Sequence, residues 1–325
     1  MYSKAIFNIT DGSQFEDLAQ EAFRYQWENN TVYRRFCDHL KVDPDAVKSI
    51  EKIPFLPIQF FKEFDILASK NPVQTTFTSS GTTGSITSKH HVTDLDLYIE
   101  SFRESFKIHY GNIKEYTVLA LLPSYLERKG SSLILMVDQL IKDSEKENSG
   151  FYLNDYLELS KKLKSLDAEG EKVLLIGVSF ALLDIVEEFS FKLKNTLVME
   201  TGGMKGRRKE LIREELHAIL KEGFGVAEIH SEYGMTELLS QGYSNGNGIF
   251  TTPPWMKIFM RDTEDALNLI EPGKTGGINI IDLANIYSCP FIATQDLGKK
   301  IDANHFEILG RFDTSDIRGC NLMVL

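Results

Sequence analysis

The sequence predicts an α/β fold with a parallel-sheet core, N-terminal helices and a small β-rich C-terminal subdomain, and three observations carry that prediction. From Val73 to about Ser240, short β-rich runs alternate with helix-length stretches, the order of α/β units around a substantially parallel sheet. Before about Phe64, apolar residues recur near the ~3.6-residue period of a helix. After Gly242 the chain breaks into short strand-like runs punctuated by glycine-rich turns, with no long helical pattern.

The elements follow in that order. Residues 1–72 form a helical segment marked by Phe15, Leu18, Phe23 and Trp27, then Val32, Phe36 and Leu40. Residues 73–242 form the core, where TTFTS, TVLALLP, KVLLIG, NTLVME and VAEIHSEYG have the apolar character of buried strands. Residues 243–325 form the β-rich subdomain, with MKIFM, ALNLI, GINII and FEILG as strands and NGNG, EPGKTGG and DLGKK as turns. The charged stretch KDSEKENSG is a surface loop, and neither a solenoid-length repeat nor a low-complexity tract is present.

Composition narrows the function classes. With 325 residues, 42% hydrophobic and 26% charged, the chain has the make-up of a globular protein with a full-sized core. A net charge of −11 opposes nucleic acid and anionic lipid as partners, so any phosphate-bearing ligand must be held by local devices. The longest apolar run, Val173 to Leu183, is interrupted by Gly177 and Ser179 and is too short to span a bilayer. The N-terminus lacks the layout of a secretory signal, so a cytoplasmic location is expected. Cys37, Cys289 and Cys320 are odd in number and widely spaced, which argues for reduced thiols rather than a disulfide framework or a zinc site.

The stretch TSSGTTGSITSKHH begins with Thr78, Ser79, Ser80, Gly81, Thr82, Thr83 and Gly84 and reaches Lys89. Glycines let a backbone approach an anion, and successive N–H groups and hydroxyls can point at phosphate oxygens. The spacing is neither that of the usual P-loop nor GxGxxG, and taken alone the composition is also that of a flexible surface loop. In EIHSEYGMTELLS a strand runs into a turn at Gly234 and then an expected helix. Tyr233 offers an aromatic face, Met235 follows the turn, Thr236 carries a hydroxyl for phosphate, and Glu237 carries a carboxylate able to hold Mg²⁺. An N-capped helix start would read the same way. In KVLLIGVSFALLDIVEEF, a strand, Gly177, Ser179, Ala181 and a helix come close to the nucleophile elbow of serine hydrolases, but the second glycine is missing. Neither His90, His91 nor His230 shows metal-ligand spacing, and none is assigned chemistry.

FTSSGTTG and YGMTE resemble the phosphate loop and the adenine, phosphate and magnesium motif of the adenylate-forming superfamily, which includes acyl-CoA synthetases, luciferases and peptide-synthetase adenylation domains. TQDLG and GRFDTSDIRG match two further motifs of that superfamily in the expected order. The resemblance implies that Asp296 binds the ribose hydroxyls and that Arg311 also contacts the ribose. It also implies that Gly202, Gly203 and Met204, in METGGMKGRRKE, form the floor under adenine. LPSYLERKGSSL and GRFDTSDIRGCNLM are most similar to the acyl-protein synthetases of bacterial luminescence, with phenylacetate-CoA ligases the next resemblance. The mobile C-terminal domain of the superfamily, with its lysine, is expected to be absent because the chain stops at Leu325. Either the short form works without that lysine or another polypeptide supplies the cation.

The implied activity is ATP- and Mg²⁺-dependent conversion of a carboxylic acid, by resemblance a fatty acid, into an acyl-AMP, with transfer of the acyl group to a protein thiol. Thr236 and Lys89 would spread the charge developing on phosphate, and Cys320, beside the hinge motif, would carry the acyl group as a thioester. A protein that transfers or reduces the acyl group is the expected partner. An acyl- or aryl-CoA ligase and a noncatalytic nucleotide-binding subunit of an acid-reducing complex are the alternatives.

Overall fold

The computed structural model describes residues 2–79, 87–123, 130–202 and 211–312. In chain order the first elements are α1 (Tyr2–Ile6), α2 (Gly12–Asn29), α3 (Thr31–His39), β1 (Leu56–Pro57), α4 (Phe60–Glu63), β2 (Thr75–Thr78), β3 (Lys89–Val92) and α5 (Leu95–Tyr110). There follow β4 (Thr117–Leu121), α6 (Ser132–Ser144), β5 (Gly150–Phe151), α7 (Tyr156–Ala168), β6 (Val173–Val178), α8 (Ser179–Glu188), β7 (Thr196–Thr201) and α9 (Arg213–Phe224). The last are strands: β8 (His230–Tyr233), β9 (Gly242–Ser244), β10 (Ile249–Thr251), β11 (Met256–Arg261), β12 (Thr275–Asp282), β13 (Phe291–Lys300) and β14 (Phe306–Arg311).

The described residues fall into two compact units. One is drawn from the spans Phe102–Gly234 and Gln241–Phe250. Its sheet runs β10-β9-β8-β7-β6-β4-β5, with β5, β4, β6, β7 and β8 parallel and β9 antiparallel to β8. Every residue of β4 and β6 is buried, as expected of strands covered on both faces, which is why TVLAL and VLLIGV are continuous apolar runs rather than alternating ones. The register pairs Val178 with Thr201 and Thr201 with Glu232, so the C-terminal ends of β6, β7 and β8 lie in one row. Ligands of parallel sheets bind beyond such ends.

The other unit is drawn from Met1–Ser101, Met235–Ser240 and Thr251–Leu325, so both ends of the chain contribute to it. Its framework is the antiparallel series β11-β12-β13-β14, with β1 parallel to β13. The helix α2 buries Phe15, Ala19, Ala22 and Phe23, while Leu18 and Trp27, also on the predicted periodic pattern, are only half-buried. Two buried amides tie the helical segment to the turn before β13: Gln26 donates to the Ile286 carbonyl at 2.6 Å and Asn30 to the Ser288 carbonyl at 2.9 Å. Trp255 is buried with its indole N–H directed at Ser101 and Ser240, as a buried indole requires.

Four sequence expectations are corrected. DLGKK is not a turn but the second half of β13, paired with β14. TTFTS does not join the large sheet but forms an antiparallel hairpin, β2 with β3. ALNLI makes only an isolated bridge, Leu269 to Arg261. Met235–Ser240 is a turn rather than a helix, for a reason taken up with the site. No helix among the described residues is long and apolar enough to cross a membrane.

The glycine of TQDLG has a packing cause. Opposite Gly298 the β13–β14 register shifts, and a Cβ there would lie 2.6 Å from the Glu307 carbonyl oxygen and 2.7 Å from Ile278. Gly298→Ala should therefore push β14 off β13 and cost about 1–3 kcal/mol. Urea denaturation measures this, and an unchanged midpoint would show that the strands yield without strain.

Candidate active site

In the unit carrying β11–β14, Thr78 pairs with Lys89 across the hairpin, and Lys89 is exposed. The hairpin is closed by Ser79: its N–H donates to the Ser88 carbonyl at 3.2 Å, and its hydroxyl accepts from the Ser88 N–H at 2.9 Å. Ser80, Gly81, Thr82, Thr83 and Gly84 lie outside the described residues, as do Gly203, Met204 and Cys320.

Met235 and Thr236 are half-buried and Glu237 is buried. Burial pushes the Glu237 carboxyl above its ordinary range, against a hydrogen bond from Ser88, its own N–H and the charges of Arg311 and Lys62. Asp296 sits within β13, only 8% exposed, and not in the turn expected of DLGKK. Its register partner is Arg311 on β14, whose Nε donates to Asp296 Oδ1 at 3.3 Å, while the guanidinium stays largely in solvent. Glu237, Arg311 and Asp296 come from three motifs spread over 75 residues of chain, and one guanidinium acts on both carboxyl groups.

The turn that carries Thr236 and Glu237 is held by side chains the sequence did not single out. The Leu239 and Ser240 N–H groups donate to Asp282 Oδ2 at 2.8 and 3.0 Å, and the Ser240 hydroxyl donates to Oδ1 at 2.6 Å. Asn285 Nδ2 donates to the Glu237 carbonyl at 2.7 Å and to the Cys289 carbonyl at 3.0 Å. His90, fully buried, brings Nδ1 to 2.8 Å from the Thr236 carbonyl and Nε2 to 2.9 Å from Asn285 Oδ1. Backbone groups that a helix would satisfy internally are thus satisfied by tertiary partners, and the expected helix does not form. Burial pulls the His90 pKa down to about 4 and pushes Asp282 up to about 6, in each case against the hydrogen bonds the group makes. The one available sequence signal was alternation along β3, where Ser88 and His90 point inward and Lys89 outward.

In the parallel-sheet unit, Gly202 follows β7 with φ +66° and accepts from the Ser179 hydroxyl at 2.8 Å. Tyr233 ends β8, its ring edge-on to Phe250 at 6.2 Å. A Cβ on Gly234 would lie 2.4 Å from Glu232 Oε1, so that carboxyl occupies the space a side chain would need. Ser179 also donates to Glu200 Oε2 at 3.2 Å, and among the described residues no histidine hydrogen-bonds to it. It braces two strand ends, and the serine-hydrolase alternative loses its general base.

Glu200 and Glu232, on adjacent strands, are driven apart. Burial opposes ionisation of Glu200, but His217 at 3.6 Å, Arg213 at 3.8 Å and Ser231 outweigh it and hold the carboxyl below the usual range. Burial and the Glu200 charge push Glu232 up to about 7, although Thr201 donates to it. Cys37 and Cys289 are buried, which raises both thiols, Cys37 to about 12.

This fold is that of the adenylate-forming ligases. A solved 2-hydroxyisobutyryl-CoA ligase in the postadenylation state with R3-HIB-AMP matches 93% of this chain and 68% of its own at TM-score 0.67 and 13% identity. ATP-bound MatB from Rhodopseudomonas palustris matches 75% of this chain and 49% of its own at TM-score 0.56 and 17% identity. The chain belongs to the LuxE acyl-protein synthetase family, whose model matches residues 12–100 and 143–325. Long-chain-fatty-acid luciferin-component ligases from Vibrio harveyi and Aliivibrio fischeri are each 24% identical to it over 336 residues, 94% of this chain and 85% and 86% of theirs. The protein is accordingly an acid-activating ligase, as the four ordered motifs implied.

The divided carboxyl pair generates a pH prediction. Glu232 has its folded pKa raised from 4.5 to about 7, so the stability it contributes is present below pH 4.5 and is lost as pH rises to about 7. The unfolding free energy of the wild type minus that of Glu232→Gln should fall across that window. A flat difference would show that Glu232 ionises in the fold as it does in the open chain.

Proposed function

We propose that this protein joins a long-chain fatty acid to AMP and then passes the acyl group to a protein cysteine. In the first half, a carboxylate oxygen of the acid forms a bond to the α-phosphorus of ATP as the bond to pyrophosphate breaks. In the second, a thiolate attacks the acyl carbonyl carbon, the carbon–sulfur bond forms, and AMP leaves with the electron pair of the broken carbon–oxygen bond. The observation that carries this reading is the grouping of Glu237, Arg311 and Asp296 from three separate motifs around one guanidinium.

Each residue has a role suited to its setting. Asp296, beside Arg311, presents carboxyl oxygens suited to accept from two ribose hydroxyls. The hairpin closed by Ser79 and Ser88 carries Thr78 and Lys89 at the base of the glycine- and hydroxyl-rich loop, where donors would meet the phosphates with Thr236. Gly202, Tyr233 and Gly234 are assigned to adenine. Glu237 fits Mg²⁺, since this ion is ordinarily held by one or two carboxylates with substrate phosphates, and a buried carboxyl kept above its usual range lacks a full counter-charge. Bound there, Mg²⁺ would neutralise charge on the departing pyrophosphate. Because Cys37 and Cys289 are buried with raised thiols, Cys320 is the acceptor we assign within the chain, for onward transfer to an acyl-reducing or acyl-transferring protein. The name long-chain-fatty-acid luciferin-component ligase, borne by relatives 24% identical, supports the fatty acid as substrate.

The test is incubation with ATP, Mg²⁺ and labelled fatty acid. Acid-dependent pyrophosphate release should fall on the order of 100-fold in Glu237→Ala, the usual cost of losing one preorganised charge stabiliser. Wild-type release by that variant would remove the metal role. Hydroxylamine-labile label should appear on the protein and be lost in Cys320→Ser, which should still form acyl-AMP. Label appearing on added CoA and never on the protein would assign a CoA ligase instead.

A further inference from the structure

We infer that His90 is a positioning residue for adenylation: its Nδ1–H sets the turn that carries Thr236 and Glu237 against the hairpin that carries the phosphate-binding loop. The inference rests on the roles given above to Thr236 and Glu237. A carbonyl oxygen can only accept, so the 2.8 Å contact to the Thr236 oxygen is a bond donated by Nδ1–H. The neutral ring has that one proton, so Nε2 meets the Asn285 oxygen at 2.9 Å without donating to it. Asn285 supports the same turn one residue later. Its two amide hydrogens are used by the Glu237 and Cys289 carbonyls, which orients the amide and turns Oδ1 toward His90 Nε2.

The imidazole has little freedom to turn. Its ring is fully buried, edge-on to Phe61 at 5.8 Å and to Phe77 at 6.4 Å, and its two nitrogens meet oxygens on separate elements. It belongs to β3, two residues beyond Ser88, which closes the hairpin on Ser79 and hydrogen-bonds to Glu237. A displacement at either end of this connection is therefore passed to the other: hairpin to Ser88 and His90, His90 to Thr236, Asn285 to Glu237. His90 is assigned no contact with nucleotide or metal; it acts through the backbone it holds.

The geometry separates the two ring nitrogens experimentally. In His90→Asn the side-chain amide N–H₂ lies where Nδ1 was and can still donate to Thr236; in His90→Gln the longer amide reaches the Nε2 position and serves Asn285 instead. Both keep a polar side chain, and His90→Leu keeps neither polar contact. With full-length protein and saturating fatty acid, His90→Gln and His90→Leu should lose roughly 10- to 100-fold in kcat for pyrophosphate release, as misplaced catalytic groups do. They should need more Mg²⁺ for half-activation, with the KM for the acid unchanged. His90→Asn should recover most of the rate. Thermal melting of each variant identifies the folded ones. Equal rates for folded Asn and Gln variants, or losses confined to the acid KM, would overturn the inference. Should Thr236→Ala and Glu237→Ala keep wild-type rates, the assignment of the turn itself fails, a result distinct from equal behaviour of the His90 variants.

Discussion

One buried carboxylate organises the turn on which the proposed chemistry depends. Asp282, fully enclosed at the end of β12, accepts four hydrogen bonds, three of them from Leu239 and Ser240. Enclosing such a group without partners would be expensive, and those four donors make it tolerable. The Met235–Ser240 turn is consequently pinned at its C-terminal end by Asp282 and in its middle by Asn285, three residues along the same connection. Ser240 in turn receives the Trp255 indole N–H, so the largest buried side chain of this unit is registered to the same point. Thr236 and Glu237 thereby gain defined positions without the regular hydrogen bonding of a helix.

The parallel-sheet unit solves a different electrostatic problem. Two carboxyl groups stand at neighbouring strand ends, and their surroundings differ in sign: Glu200 meets a histidine and an arginine from α9, whereas Glu232 meets a threonine hydroxyl and the charge of Glu200. One carboxyl is held below the usual range and the other is pushed up to about 7. Ser179, at the start of α8, links Glu200 to the backbone at Gly202, so the strand-end row is stiffened by polar contacts just where apolar packing stops.

How much of this was legible in the sequence depended on the range of the forces involved. The strands β4 and β6 were legible because burial on both faces writes a continuous apolar run. Asp296 and Arg311 were legible as parts of motifs, but their direct pairing across β13 and β14 was not, since strand register is a property of the folded sheet. The helix expected after Gly234 failed because its competitors, Asp282 and Asn285, stand 43 and 48 residues from the groups they bind, beyond any local pattern. His90 was passed over for the same reason: its partners Thr236 and Asn285 lie 146 and 195 residues away, and a histidine beside a hydroxyl-rich loop looks no different when it is solvated.

The amides that tie the helical N-terminus to the turn before β13 also bear on how the chain leaves the ribosome. Gln26 and the Ile286 carbonyl are separated by 260 residues. At synthesis rates of roughly 5–20 residues per second, α2 emerges about 10–50 s before its acceptor exists. For that interval Phe23 has Trp27 and Tyr33 beside it but not Phe291, so the nascent chain carries an apolar stripe with part of its cover missing, which must be sheltered or must collapse provisionally. The other unit, drawn largely from one continuous span, faces no such delay and can complete its core while the N-terminal helices are still waiting.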